Sequence, residues 1–300
     1  MIVTNSDELI KYAHKKTAVA LGSFDAIHKG HIAIISETIE FAKQNDMLSL
    51  VQLFEVPPAV ICGAKAINSL EKRIGIIEEL GADIVVVERF DEEFKSIEYT
   101  DFVKEYLSNR YNSGMVFAGN NYRFGHFAKG DAEKLIDECQ KYSIGAKVLD
   151  CLSLDGVISS TRIREYIKNG EVDMAATLMT RPYSVTNEVV KGKALGRSIG
   201  FPTANMNIPQ GLIMPKDGVY ATRVKFEGKT FLGITNVGSK PTVGNEKRNI
   251  ETYILDFQEE IYDKKIEVEF LKRLRDIKKF DNLDGLKNQL KKDREQMLKI

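Results

Sequence analysis

Four short, unbroken apolar runs punctuate the first 180 residues: Thr17 to Leu21 (TAVAL), Leu48 to Leu53 (LSLVQL), Ile84 to Val87 (IVVV) and Met115 to Ala118 (MVFA). Strands apolar on both faces belong inside a covered, parallel sheet rather than at a wet surface. Between the runs lie amphipathic stretches such as His31 to Lys43 and Ser69 to Leu80. Strand alternating with helix predicts a doubly wound α/β sheet with right-handed crossovers. Beyond about residue 182 the period changes. Gly218 to Lys225 and Thr230 to Ile234 flank Glu227-Gly228-Lys229, a hairpin turn, and Glu251 to Phe257 and Ile266 to Phe270 add two further strands. Several short strands in succession predict a small closed β-barrel. A last helix carries Leu283, Leu286, Leu290 and Met297 on one face, which should pack on that barrel. The joint falls at Met179 to Ser184, where Pro182 discourages a helix from continuing. Two domains, 1–180 and 181–300, follow.

Composition narrows the function. Lys+Arg and Asp+Glu number 43 each, for a net charge of zero. The zero conceals a split: residues 1–180 hold 20 basic and 27 acidic side chains, and residues 181–300 hold 23 and 16. A nucleic-acid binder that works through bulk charge carries a basic excess, so that class falls away. No apolar run approaches the roughly 18 residues of a membrane span. The N-terminal residues lack the pattern of a secretory signal. Cys62, Cys139 and Cys151 are odd in number and scattered, which suits a reducing cytoplasm better than a disulfide framework.

Directly after the first run comes Gly22-Ser23-Phe24-Asp25-Ala26-Ile27-His28-Lys29-Gly30-His31. Two of the chain's 4 histidines stand three residues apart here, so a helix starting near His28 puts both imidazoles on one face. A helix N-terminus offers unpaired N–H groups and partial positive charge, and the segment therefore reads as an anion site. Gly22 and Gly30 let backbone and ligand come close. Asp25 reads as a brace of the loop, with a metal role left open beside it. The stretch resembles the Gly-x-Phe-Asp-x-x-His-x-Gly-His signature of the nucleotidyltransferase superfamily, which implies a Rossmann-like domain moving a nucleotidyl group from ATP or CTP. The second motif of that superfamily is matched by Ile158-Ser159-Ser160-Thr161-Arg162-Ile163-Arg164. There Ser160 reads as an N-cap and Gly170 as the helix stop.

The β-rich half carries Gly192-Lys193-Ala194-Leu195-Gly196-Arg197-Ser198-Ile199-Gly200-Phe201-Pro202-Thr203-Ala204-Asn205. Its glycines, Lys193 and Arg197 suit a loop over phosphates, although the Gly-Lys-Ser/Thr ending of a P-loop is missing. A hydroxyl and an amide two residues apart, Thr203 and Asn205, can face one oxygen-ligated cation. This stretch resembles riboflavin kinase, with further likeness over Met214 to Tyr220, Thr235 to Gly238, Lys240-Pro241-Thr242, Glu251 to Phe257 and Arg273-Leu274-Arg275. Taken together, the chain resembles the bifunctional bacterial riboflavin kinase/FAD synthetase family over nearly its whole length.

The resemblance implies phosphorylation of riboflavin to FMN with ATP, then adenylylation of FMN to FAD with a second ATP and release of pyrophosphate. It implies Mg²⁺ and ATP phosphates at Thr203 and Asn205, with Gly192, Lys193, Gly196 and Arg197 over the phosphates. It makes Glu251 the general base and puts Arg275 near the flavin. In the first domain it assigns His28 and His31 to the α-phosphate, and Gly22, Phe24, Gly30, Ser160, Thr161 and Arg164 to the nucleotide. Asn121, in Gly119-Asn120-Asn121-Tyr122-Arg123-Phe124-Gly125, falls to the flavin. The partners it implies are small molecules, riboflavin, FMN and ATP, with no nucleic acid and no membrane. A weak homo-oligomer stays open.

Two departures keep other readings in view. The family usually shows Phe-x-Pro-His-Pro after the second strand, whereas here the chain reads Phe54-Glu55-Val56-Pro57-Pro58. It usually places Glu two residues after Arg275, where this chain has Ile277; Asp276 stands next to it. A kinase beside a weakened or retargeted adenylyltransferase domain is the first alternative, and a flavin-sensing binding protein the second.

Overall fold

Apolar residues facing both ways force a strand to be covered on both sides, and Thr17–Leu21 is buried at every position. In the computed structural model, which describes residues 1–11, 14–192, 200–238, 248–280 and 282–300, the chain forms two compact units, Met1–Ser160 and Thr161–Ile300.

The first unit is an all-parallel sheet of β1 (Ile2–Thr4), β2 (Thr17–Leu21), β3 (Leu48–Phe54), β4 (Ile84–Glu88), β5 (Ser113–Gly119) and β6 (Gly145–Leu149), in the order β1-β4-β3-β2-β5-β6. The four predicted runs are its four central strands. The two edge strands went unpredicted, since β1 is three residues long and β6 is only partly buried. Helix α1 (Lys29–Gln44) and α2 (Leu70–Leu80) cover one face, where Ile34, Ile35, Ile76 and Ile77 meet Ala18, Ala20 and Val51. The π-wound α3 (Phe102–Arg110) and α4 (Ala132–Lys141) cover the other, with Leu107 and Leu135 against Val19, Leu21 and Val116. Ser69 caps α2 by accepting from Lys72 N at 3.2 Å.

The second unit opens with α5 (Ser160–Asn169), which begins one residue before the division, and α6 (Val172–Met179). Ser160 is thus the first helical residue of α5 rather than its cap, while Gly170, at φ 83°, ends the helix as expected. A closed antiparallel barrel follows: β7 (Tyr183–Val190), β8 (Thr203–Asn207), β9 (Gly218–Phe226), β10 (Lys229–Gly238), β11 (Asn249–Ile254) and β12 (Lys265–Arg275), in the order β10-β11-β8-β7-β12-β9. Phe226 pairs with Lys229, so the β9–β10 turn is the two residues Glu227 and Gly228, both left-handed (φ 45° and 75°), and Lys229 belongs to the strand. Inside the barrel the hydroxyls of Thr222, Thr235 and Thr252, none of them exposed, form a chain with 2.9 Å spacings. Helix α7 (Leu283–Met297) closes on the wall through Met297, which packs with Val219, Ala221 and Ile234.

Candidate active sites

In the sheet order, β2 and β5 are neighbours whose following helices lie on opposite faces, since Ile34 and Ile35 of α1 and Leu135 of α4 belong to opposite cores. A crevice opens beyond the carboxyl ends of two such strands, where open α/β sheets bind ligands. From the end of β2 the chain runs through Gly22 into α1. A Cβ on Gly22 would lie 2.9 Å from the Phe24 ring, so a side chain there would have to displace that ring. Phe24 and Ile27 both sit at positive φ, 44° and 43°, in a loop fixed from within. Asp25 is 1% exposed; its Oδ1 accepts from Ile67 N at 3.0 Å and its carbonyl from Asn68 Nδ2 at 2.7 Å. It braces the loop.

His28 caps α1: its Nδ1 accepts from His31 N at 3.3 Å, which places the proton of the neutral ring on Nε2. The two imidazoles stack with centroids 3.8 Å apart and 18° between planes, and Phe24 packs edge-on to His31 at 5.0 Å. The predicted pairing of these rings on one helix face is therefore what the fold builds. Gly30 lies between them in the first turn. Asn121 is exposed just past the end of β5, in the turn where Tyr122 N donates to Gly119 O. Arg164 is 8% exposed on α5, with Ser160 and Thr161 in the first turn of that helix.

Sequence reasoning missed Arg73. It is 1% exposed on α2 and donates through Nη1 to Phe54 O and through Nη2 to Glu55 O, both at 2.8 Å. It thereby fixes the chain leaving β3, where this sequence has Glu55-Val56-Pro57-Pro58. Burial lowers its pKa to about 10, with the Asp25 carboxylate opposing that shift. The signal was available: Arg73 shares the buried side of α2 with Ile76 and Ile77, at the spacing of a helix face.

The second cluster lies on the wall of the barrel. In the antiparallel β11–β8 pair Glu251 stands directly opposite Asn205, and Tyr253 opposite Thr203. Side chains alternate along a strand, so Thr203, Asn205, Glu251 and Tyr253 share one face, opposite the one carrying buried Ala204 and Thr252. Thr203 Oγ1 donates to Glu251 Oε1 at 2.7 Å. Asn205 Nδ2 donates to Thr203 O at 3.3 Å, and its Oδ1 accepts from Asn249 Nδ2 at 3.4 Å. A Cβ on Gly192 would fall 2.5 Å from the Asn205 amide, so the chain passes close over it. Beside Thr203 opens a cavity of about 270 Å³, lined also by Pro202, Ile254, Phe257 and Tyr262. Lys193, Gly196, Arg197 and Lys240-Pro241-Thr242 lie outside the described residues.

Arg275 is held by a partner on α7. Its Nε donates to Asp293 Oδ1 at 2.9 Å and its Nη2 to Asp293 Oδ2 at 2.7 Å, tying α7 to the end of β12. Asp293 is fully buried and the Arg275 side chain is 14% exposed, a setting in which removing Arg275 or Asp293 leaves the other charge without its partner. Asp293→Ala is expected to cost about 3 kcal/mol of stability. Chemical denaturation checks this; an unmoved midpoint would show that the pair anchors nothing. The neighbouring Asp276 carboxylate accepts from Arg273 Nη2 at 2.7 Å.

Residues 10–162 match the family described as FAD synthetase, and residues 179–300 match the one described as riboflavin kinase. A bifunctional riboflavin kinase/FMN adenylyltransferase of Bacillus subtilis (strain 168) is 32% identical over 305 residues, covering 99% of this chain and 96% of its own. The chain belongs to the bifunctional riboflavin kinase/FMN adenylyltransferase family. Relatives of the same description from Listeria monocytogenes (34% identical; 92% of this chain, 89% of its own) and Escherichia coli K12 (31%; 92% and 90%) share that span of both halves. A crystal structure described as a macrolide-efflux protein from Streptococcus pneumoniae superposes with a TM-score of 0.89 at 30% identity, covering 98% of both chains. Among the described residues of this family member, no helix is long and apolar enough to cross a membrane.

Proposed function

We propose that this chain phosphorylates riboflavin on the wall of its barrel and adenylylates FMN at the carboxyl edge of its parallel sheet, using ATP in both steps. One observation carries the reading: both motif clusters are assembled, His28 stacked on His31 at 3.8 Å and Thr203 bonded to Glu251 at 2.7 Å. The functional modules are 1–180 and 181–300, and the setting is the cytoplasm.

In the kinase step Glu251 takes the proton of the terminal ribityl hydroxyl as its oxygen attacks the γ-phosphorus of ATP, giving FMN and ADP. Thr203 holds the carboxylate in place through its hydroxyl. A positioned base contributes about 10²–10⁴-fold, and the remainder comes from positioning and charge neutralisation. Thr203, Asn205 and Glu251 supply oxygen donors only, the set a hard cation prefers. That fits Mg²⁺ held by Thr203 and Asn205 together with nucleotide phosphates, where it would neutralise phosphate charge. The cavity beside Thr203 accepts the nucleotide base, and Gly192, Lys193, Gly196 and Arg197 belong to the phosphate loop.

In the adenylyl step an FMN phosphate oxygen attacks the α-phosphorus of ATP and pyrophosphate leaves, with no covalent enzyme intermediate. His28 and His31 donate to the oxygens that gain charge, beside the N–H groups of the first turn of α1. Gly22, Phe24 and Gly30 shape that floor, Ser160, Thr161 and Arg164 bind the triphosphate, and Asn121 meets the flavin. Arg275 acts at the flavin of the kinase site through the strand end that its pair with Asp293 fixes.

The decisive assay incubates the protein with riboflavin, ATP and Mg²⁺, and separately with FMN, ATP and Mg²⁺. FMN, then FAD and pyrophosphate, are expected. No FAD from either oxidised or reduced FMN would overturn the bifunctional reading. A kinase with a weakened or retargeted adenylyltransferase domain, or a flavin sensor, is disfavoured by relatives described as bifunctional along nearly the full chain.

A further inference from the structure

The loop that leaves β5 contains a second, more pronounced distortion. Phe127 (φ 53°, ψ 27°) and Ala128 (φ 56°) are consecutive non-glycine residues in the left-handed region. Such backbone persists only where its surroundings over-determine it, and here they do. Phe124 and Gly130 exchange both backbone hydrogen bonds, at 3.2 and 2.9 Å, closing the loop at its base. His126 N donates to Ile97 O at 2.7 Å, and His126 Nδ1 lies 3.0 Å from Lys95 O. Lys134 Nζ holds Lys129 O at 2.7 Å. What this scaffold presents is the Phe127 ring, 83% exposed, leaning on the His126 imidazole with centroids 4.0 Å apart. A folded chain gains nothing by straining its backbone to hold a phenyl ring in water.

The position of the loop indicates what the ring meets. Residues 95–97 follow β4 and residues 120–130 follow β5, and in the sheet these two strands flank β3 and β2. Segments that bond to each other from those two origins close across the carboxyl edge of the strands between them. They do so on the side away from α1, because Tyr99, Phe102 and Phe124 pack in the core that α3 and α4 cover. The phosphate-binding end of α1 and the Phe127 loop therefore border one crevice from its two sides.

We infer that Phe127 is a specificity-determining residue of the adenylylation site, a fixed aromatic platform on which the isoalloxazine ring of FMN stacks. The inference rests on the reading that this crevice is where FMN is adenylylated. Aromatic rings stack offset on planar heteroaromatics, and a ring held in place by its backbone loses little freedom on doing so.

The test measures FAD formation at varied FMN and at varied ATP, with flavin fluorescence quenching on FMN binding, for Phe127→Ala, Phe127→Gly and Phe127→Tyr. Stacking of this kind predicts a rise of about five- to tenfold in KM for FMN in the Ala and Gly variants, with weaker quenching and an unmoved KM for ATP. Phe127→Tyr should retain both. Phe127→Gly relieves the left-handed strain, so its Tm should not fall below that of Phe127→Ala even as flavin binding weakens. A purely structural ring would give the reverse, a lower Tm with FMN kinetics intact, and that result overturns the inference. So would a rise in KM for ATP alone, which would assign the platform to adenine. If His28→Asn leaves FAD formation intact, the location of the site is wrong; if it abolishes FAD formation while Phe127→Ala changes no kinetic constant, the platform alone is wrong.

Discussion

Glu251→Gln is expected to lower riboflavin phosphorylation by about 10²–10⁴-fold, the range for loss of a positioned general base. The amide keeps the length and shape of the side chain, and its Oε1 can still accept from Thr203 Oγ1 across the 2.7 Å contact. What it loses is the capacity to take a proton from the ribityl hydroxyl. Affinity for riboflavin and ATP should change little, so the effect belongs in kcat rather than KM. Thr203→Val probes the same bond from the other side. It leaves the carboxylate but removes the hydroxyl that orients it, and the expected loss is smaller than for Glu251→Gln. FAD formation from supplied FMN should be retained in both variants, because His28 and His31 lie in the other unit. The measurement is the initial rate of FMN formation from riboflavin. Undiminished turnover by Glu251→Gln would remove Glu251 as the base and leave it a strand residue beside the site.

How far the sequence discloses such a site depends on whether its residues signal locally. Ala18 to Leu21 and Ile84 to Val86 are apolar on both faces, so the central strands announce themselves, and with them the position of His28 and His31 at a helix start. β8 does not. Its sequence Thr-Ala-Asn-Met-Asn places polar residues on one face and becomes a strand through pairing with β11, some 45 residues later in the chain. The contact between Glu251 and Thr203 is therefore a product of barrel register, and resemblance to riboflavin kinase pointed to the two residues but not to their contact. Asp293 shows the opposite difficulty. An acid among the lysines of α7 reads as part of a solvated face, yet it is fully buried because Arg275 meets it from the end of β12. Arg275 likewise carries no local hint of that partner. Phe127 had no signal at all, since its exposure follows from a loop conformation that β-strand and helix periodicities do not encode.

Removing the His28 imidazole is expected to reduce FAD formation by about 10²–10³-fold, the usual penalty for deleting one preorganised donor to a developing oxyanion. The substitution needs care, because His28 also caps α1 through Nδ1. Alanine would lose that acceptor as well, at a cost of about 0.5–2 kcal/mol in stability, and would confuse a folding defect with a catalytic one. Asparagine is the better choice. Its side-chain oxygen is a favoured N-cap acceptor, so His28→Asn should keep the start of α1 while removing the ring that stacks on His31 at 3.8 Å. His31 then loses both its stacking partner and the geometry that aligns the two donors. His31→Asn should accordingly fall in the same range, and the double variant should lose less than the product of the two, because the rings act as a unit. Riboflavin phosphorylation by the same preparations reports on folding. Pyrophosphate release from FMN and ATP reads the effect directly. If His28→Asn makes FAD at the unaltered rate while keeping its Tm, the crevice at β2 and β5 is not where FMN attacks ATP, and the imidazole pair is only a helix cap.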